Sequence, residues 1–385
     1  MRRIVSSLVT LGTGLALASA AQAAPARPAT AYRLIDGGGA FTCAVTTAGA
    51  AKCWGQGFVG QLGDGAGIDR TRPVPVRGLT SGVVDISAAD THACAVTTRG
   101  AVYCWGSNAS GQLGDGTTNT RYVPALVRNL GGQAKSVTAG YQHTCALLTT
   151  GLVRCWGWNY WGQLGIGSLH DTILPATVKG LTSVTTVATM SNTTCAIWGA
   201  ARLSCWGANG SGQIGDGTTT TRTAPRAVVG FGSGTRAVAP SVNFTCAVNV
   251  AGSAQCWGRG FSGELGDGSA FSEHFTPKPV LGLGSGVSSI STGATHAYAV
   301  LASGAARCWG ENGAGSLGDG TTTDRYRPVA VKTLSAGVAR VSAGGWHSCA
   351  VMSSGAASCW GANLFGQVGD GTKGTDRLVP TRVAG

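Results

Sequence analysis

An all-β protein is expected from this chain: a seven-bladed β-propeller of four-stranded blades. Three features lead to it. Glycine makes up 63 of 385 residues, beside 11 tryptophans, which reads as many short strands joined by tight turns. The tripeptide Cys-Trp-Gly occurs seven times, beginning at Cys53, Cys104, Cys155, Cys205, Cys256, Cys308 and Cys359, with spacings of 51, 51, 50, 51, 52 and 51. Equal four-stranded units of this length are the propeller pattern, and closing them into a ring leaves only short, protected edges. Hydrophobic residues at 43% supply a sizeable core, so the low charged fraction of 11% does not mean disorder.

The chain opens with the pattern of a cleaved leader. Arg2 and Arg3 precede an apolar run from Ile4 to Ala18, and Ala21-Gln22-Ala23 is a small-x-small cleavage site. Residues 1–23 are therefore expected to be a signal peptide, and residues 24–385 a single propeller of seven repeats of about 51 residues. The apolar run is too short for a comfortable membrane span, and no later stretch is long enough. A secreted or periplasmic location follows.

The four strands of a unit read in order. Val83 to Ser87 alternates as a first strand, Cys94 to Thr97 is the second, and Ala101 to Trp105 the third. Between the second and third, Thr98-Arg99-Gly100 makes a three-residue hairpin loop whose last place wants a left-handed residue. Gly49, Gly100, Gly151, Gly252, Gly304 and Gly355 fill that place, and only Gly199-Ala200-Ala201 departs. The fourth strand is expected to open with proline (Pro73, Pro124, Pro175, Pro225, Pro328, Pro380) and so to lie at an outer edge.

Twelve of the 13 cysteines pair at ten-residue separations across this hairpin: Cys43 with Cys53, Cys94 with Cys104, Cys145 with Cys155, Cys195 with Cys205, Cys246 with Cys256, and Cys349 with Cys359. Facing positions on adjacent antiparallel strands lie within disulfide reach, and an exported chain meets an oxidising compartment. Six bridges are expected, each contributing about 2–3 kcal/mol or less. Buried free thiols are the alternative. Tyr298 replaces the partner of Cys308, which leaves Cys308 as the free thiol, buried beside that tyrosine.

The motifs Gly140-x-x-His143-Thr144-Cys145-Ala146-Leu147, Cys155-Trp156-Gly157 and Gly162-Gln163-Leu164-Gly165 resemble the regulator-of-chromosome-condensation repeat. The resemblance covers residues 32–385 and implies a propeller that acts as a protein-interaction platform. The founding member's nucleotide-exchange activity is not carried over, because this chain reads as exported and its uniform periods leave no room for an inserted wedge.

Candidate chemistry is sparse. His92, His143, His296 and His347 share one repeat position with Phe41, Thr193 and Phe244. Equivalent places in successive blades are too far apart for one metal ion, so packing or a backbone hydrogen bond is expected. Gly-Asp-Gly turns stand at Asp64, Asp115, Asp216, Asp267, Asp319 and Asp370, and all but Asp267 are followed after six or seven residues by an arginine (Arg70, Arg121, Arg222, Arg325 and Arg377). Unit three lacks both partners, having Ile166 and Thr172, which points to an ion pair bracing a loop. No nucleophile elbow, metalloprotease motif or phosphate loop is present, and neither a cofactor nor a metal is expected. The net charge of +12 is scattered, so nucleic acid is not the expected partner.

The residues after each Cys-Trp-Gly vary and carry aromatics. The second of them is always Gly or Asn, which suggests a left-handed turn. Loops after the first and third strands of a meander emerge on one face. Phe58, Tyr141, Trp158, Tyr160, Trp161, Phe261, Trp346 and Phe365 are thereby candidate binding residues, with inter-blade packing as the other reading. The expected function is an exported, monomeric scaffold for a protein partner; a carbohydrate-binding or adhesin propeller is the alternative, and an enzyme a third.

Overall fold

The structure is a computed structural model and describes residues 30–385; the expected leader lies outside the described residues. Twenty-eight strands and no helix occur among the described residues. They form seven four-stranded antiparallel sheets, each contiguous in sequence. In the first blade, β1 (Tyr32–Gly37), β2 (Phe41–Thr46), β3 (Ala51–Gly55) and β4 (Arg70–Pro75) pair in that order. The other blades span Val83–Leu126, Ala134–Thr177, Val184–Ala227, Thr235–Pro279, Val287–Ala330 and Val338–Arg382. First strands line a central channel of about 540 Å³.

The apolar core is divided into seven clusters, one at each blade junction. Each holds the tryptophan of a Cys-Trp-Gly motif, fully buried against the preceding blade. Its indole N–H donates to a backbone carbonyl of that blade's Gly-Gln-Leu-Gly loop, as Trp156 does to Gln112 at 2.9 Å. The last glycine of the loop is required by this approach: a Cβ on Gly114 would lie 2.6 Å from Trp156 Nε1. Trp54 of the first blade donates to Gln367 of the seventh at 2.9 Å, so the ring closes by face packing with no exchanged strand.

The histidines belong to the same junctions. His92 Nε2 is 2.9 Å from Thr144 Oγ1 on the next blade, and Thr144 donates to the Gln112 carbonyl at 2.8 Å. His143 meets Thr194, His296 meets Ser348, and His347 meets Thr42 across the closing junction, at 2.8–3.0 Å. The partner is therefore a side-chain hydroxyl and not the expected backbone group. Because the hydroxyl donates onward, it accepts from His Nε2–H, and the ring is neutral with Nδ1 unpaired. Burial holds His92, His143 and His296 down at about 3, and His347 at about 4.

Two expectations about local structure are corrected. The fourth strand begins three residues before its proline, at the loop arginine, since Arg121 pairs with Gly106 and Ala125 with Cys104. Pro124 sits within the resulting bulge, where no ladder donor is needed. In the odd hairpin Gly199-Ala200-Ala201, Ala201 still adopts the left-handed conformation with φ 58°, because the turn geometry demands it of whichever residue stands there.

All six ten-residue cysteine pairs are disulfide-bonded, with Cα–Cα distances of 4.0–4.1 Å. Cys308 is free, buried and in register with Tyr298. Burial pushes its thiol far above the ordinary range.

Candidate protein-interaction face

The loops after first strands (38–40, 89–91, 140–142, 191–192, 241–243, 293–295 and 344–346) converge at one mouth of the channel. They are knitted by backbone bonds between blades: Gly39 N–H donates to Ala89, Tyr141 to Ser191, and Gly345 to Gly38, at 2.8–2.9 Å. So close an approach needs glycine; a Cβ on Gly38 would stand 2.4 Å from the Ala89 carbonyl oxygen. The result is an axial basin of about 290 Å³, with Tyr141, Val242 and Trp346 among its apolar lining and Asp90 as its carboxylate. Partial burial raises the Asp90 carboxyl above its usual range.

Outside the basin stand the loops after third strands. The Asn or Gly at the second place does not take the expected left-handed conformation. Asn159 is there for its amide: Oδ1 accepts from Leu164 N–H at 3.0 Å, while Nδ2 donates to the Ser168 and His170 carbonyls. Gly57 is there for space, since a Cβ would lie 2.1 Å from the Ile68 carbonyl oxygen. Pinned from below in this way, the third loop holds its aromatics up. Trp158 and Tyr160 stack at 5.9 Å with planes 12° apart, and Tyr160 meets Trp161 edge-on at 5.0 Å. Tyr160 is 62% exposed, whereas Trp158 is half-buried beneath it.

Tyr141 and Trp346 thus lie at the axial basin, and Trp158, Tyr160 and Trp161 in a separate outer cluster on the same face. Phe58 is exposed in the first blade's loop. Phe261 is exposed and packs on Phe271 at 5.7 Å, with Arg259 over its ring. Phe365 is half-buried, and its neighbour Leu364 is the exposed residue there, at 64%. Sequence reasoning missed Phe271, Leu364 and Asp90. Leu364 lies within the variable residues already singled out, while Phe271 lies further along the same loop, so comparing the apolar residues of every whole loop could have found them.

The loop arginines make the anticipated ion pairs with Asp64, Asp115, Asp216, Asp319 and Asp370, at 2.6–2.8 Å. Unit five substitutes His274 against Asp267, a pairing not anticipated.

Within this array of seven in-phase units, with one tryptophan and one glycine-rich loop at each junction, profiles of the regulator of chromosome condensation (RCC1) repeat match eight segments. One covers residues 52–96, 99–147, 150–197 and 303–351; a second covers 83–112, 134–163, 287–316 and 338–367. The chain belongs to the RCC1 repeat family. Among RCC1-repeat relatives, the ultraviolet-B receptor UVR8 of Arabidopsis thaliana is 30% identical over 85% of this chain and 64% of its own length. Human E3 ubiquitin-protein ligase HERC2 is 31% identical over 82% of this chain, a match spanning 6% of that protein. The crystal structure of human WBSCR16 superposes with a TM-score of 0.76 at 26% identity, covering 84% of this chain and 87% of that one. The chain therefore spans less than two thirds of the curated relatives it matches, and their receptor and ligase activities stay with them.

Proposed function

We propose that this protein is an exported scaffold whose loop face holds a partner protein. The observation that carries the reading is the Trp158–Tyr160–Trp161 cluster, held clear of the core on the face that also presents the axial basin. Rigid aromatics with both apolar area and polar tips anchor protein interfaces at low entropy cost. Asp90 adds a carboxylate to the basin and suits a cationic side chain on the partner. Export is supported by the leader pattern and by the six bridges, which an oxidising compartment makes and keeps.

The test is capture from the producer's envelope and medium by immobilised protein. The parent retains a protein prey, while the variant W158A/Y160A/W161A loses it by about two orders of magnitude with its melting temperature nearly unchanged. Prey retained by the variant, or release of the bound material by free glycan, sinks the protein-partner reading; the second result turns the same platform into a sugar-stacking one.

A further inference from the structure

Most carboxylates of this chain sit in one set of loops. Of 16 carboxylates, all but Asp36 and Asp85 lie in the loops after first and third strands or, for Glu273, in the fourth strand of blade five near that face. Asp36 and Asp85 line the channel. The opposite face is built from the turns between second and third strands and from the linkers between blades, and these segments contain no carboxylate.

Exposed cations occupy that opposite face. Arg77, Arg128, Lys179 and Lys332 hold one repeat position in the linkers, at the outer margin where the linker N–H donates to the third-strand loop of its own blade (Arg77 to Gly63, Lys179 to Gly165, at 2.9–3.0 Å). Arg33, Lys135, Arg236 and Arg340 stand near the starts of first strands, around the channel mouth. Arg99 projects from a turn. In two linkers the basic position is apolar instead: Val229 and Leu281 are 49% and 41% exposed, and Val250 in the adjoining turn is 71% exposed. The face is thus a basic ring with an apolar sector in blades four and five.

A linear polyanion would engage only a stripe of such a ring, whereas a planar anionic surface meets all of it together. The exposed residues of these turns and linkers include no aromatic on which a base or a sugar would stack. An exposed apolar sector beside basic residues suits the boundary between headgroups and acyl chains. We infer that this face seats the propeller on a bilayer rich in anionic phospholipid. The aromatic face then points away from the lipid, toward whatever partner it holds. Seating is peripheral: no helix among the described residues is long and apolar enough to cross a membrane.

The experiment is co-sedimentation of the full mature chain with phosphatidylcholine vesicles, with and without phosphatidylglycerol, at low and high salt. The protein sediments with the anionic vesicles and is released by salt. Each Lys or Arg near such a surface is worth about fivefold in partitioning. The side chains of Arg99, Lys179 and Arg236 are exposed and make no hydrogen bond or ion pair among the described residues. The variant R99Q/K179Q/R236Q therefore loses about a hundredfold in partitioning at an unchanged melting temperature, and R99E/K179E/R236E loses more. W158A/Y160A/W161A sediments like the parent, which separates this inference from the partner-binding role of the other face. Equal sedimentation with neutral and anionic vesicles overturns the inference. So does parental partitioning by the charge-reversed variant, or retention on DNA or heparin without any on vesicles.

Discussion

At residue scale the odd unit is the most instructive. Tyr298 faces Cys308 where every other unit has a cystine, and the tyrosine's bulk continues past the hairpin into the next junction. Its hydroxyl donates to the Ser316 carbonyl and accepts from Trp360 Nε1–H at 2.9 Å. The unit exchanges a covalent staple for a hydrogen-bonded plug. Non-reducing peptide mapping is expected to find six bridges, with Cys308 alone alkylated, and only after denaturation. Restoring the cysteine by Tyr298→Cys should create a seventh bridge under oxidising conditions and abolish that alkylation. Mass spectrometry reads bridge formation separately from melting, since the variant also leaves a void against Trp360. A Cys308 that stays alkylatable in the variant would show the register to be wrong.

At the scale of the element, the loop after each third strand is organised by its aspartate more than by the ion pair. Asp115 is nearly buried; it accepts from Thr117 N–H at 2.9 Å, Thr117 Oγ1–H at 2.7 Å and Arg121 Nε–H at 2.8 Å. These bonds hold its carboxyl below the usual carboxylate range against the opposing effect of burial. Arg121 is about two-fifths exposed at its side chain, so the Coulombic share is screened. Asp115→Ala strands three half-buried donors and is expected to cost about 1–3 kcal/mol. Arg121→Ala should cost less than about 1 kcal/mol. Denaturant unfolding of the two variants decides it: an equal or larger loss for Arg121→Ala would put the weight on the ion pair instead. Unit three stands without either partner, with Ile166 packed against the apolar cluster of its junction, which shows that the loop can be held by other means.

For the whole molecule, stability resides in seven repeated junctions, and four of them contain a neutral buried histidine. The residues at these places vary together. Phe41 and Phe244 replace histidine where the next blade offers Ala93 and Ala297, and histidine appears where it offers Thr144, Thr194, Ser348 or Thr42; the fourth blade departs, with Thr193 before Thr245. The pH dependence follows from the lowered values. Above about pH 6.5 neither the folded nor the unfolded chain protonates these rings. Below it the unfolded chain binds protons that the folded chain refuses, down to about pH 3–4. Folding stability therefore falls with pH across that window, by up to about 1.4 kcal/mol per pH unit for each histidine. Asp36 and Asp85, whose carboxyls burial raises, oppose the trend, so the difference between variants is the cleaner readout. His92→Phe with Thr144→Ala copies the Phe–Ala junctions and should flatten the dependence by one histidine's share, as read from denaturant unfolding between pH 7 and pH 4.5. An unchanged slope would mean that His92 is charged when folded.

The sequence alone determined the blade count, the strand order within a blade, the disulfide pairs and the lone Cys308, because each depends on spacing along one hairpin or on a repeated period. Ring closure was decided only in three dimensions, since Trp54 meets Gln367 across 313 residues of chain. So was the pairing of His92 with Thr144: each residue varies along the repeats as though freely, and the dependence appears only when adjoining blades are set face to face. The same holds for the basin at Tyr141 and Trp346, on loops from blades three and seven. A period in sequence specifies what a blade is; which side chains share a surface depends on how seven blades are turned about one axis.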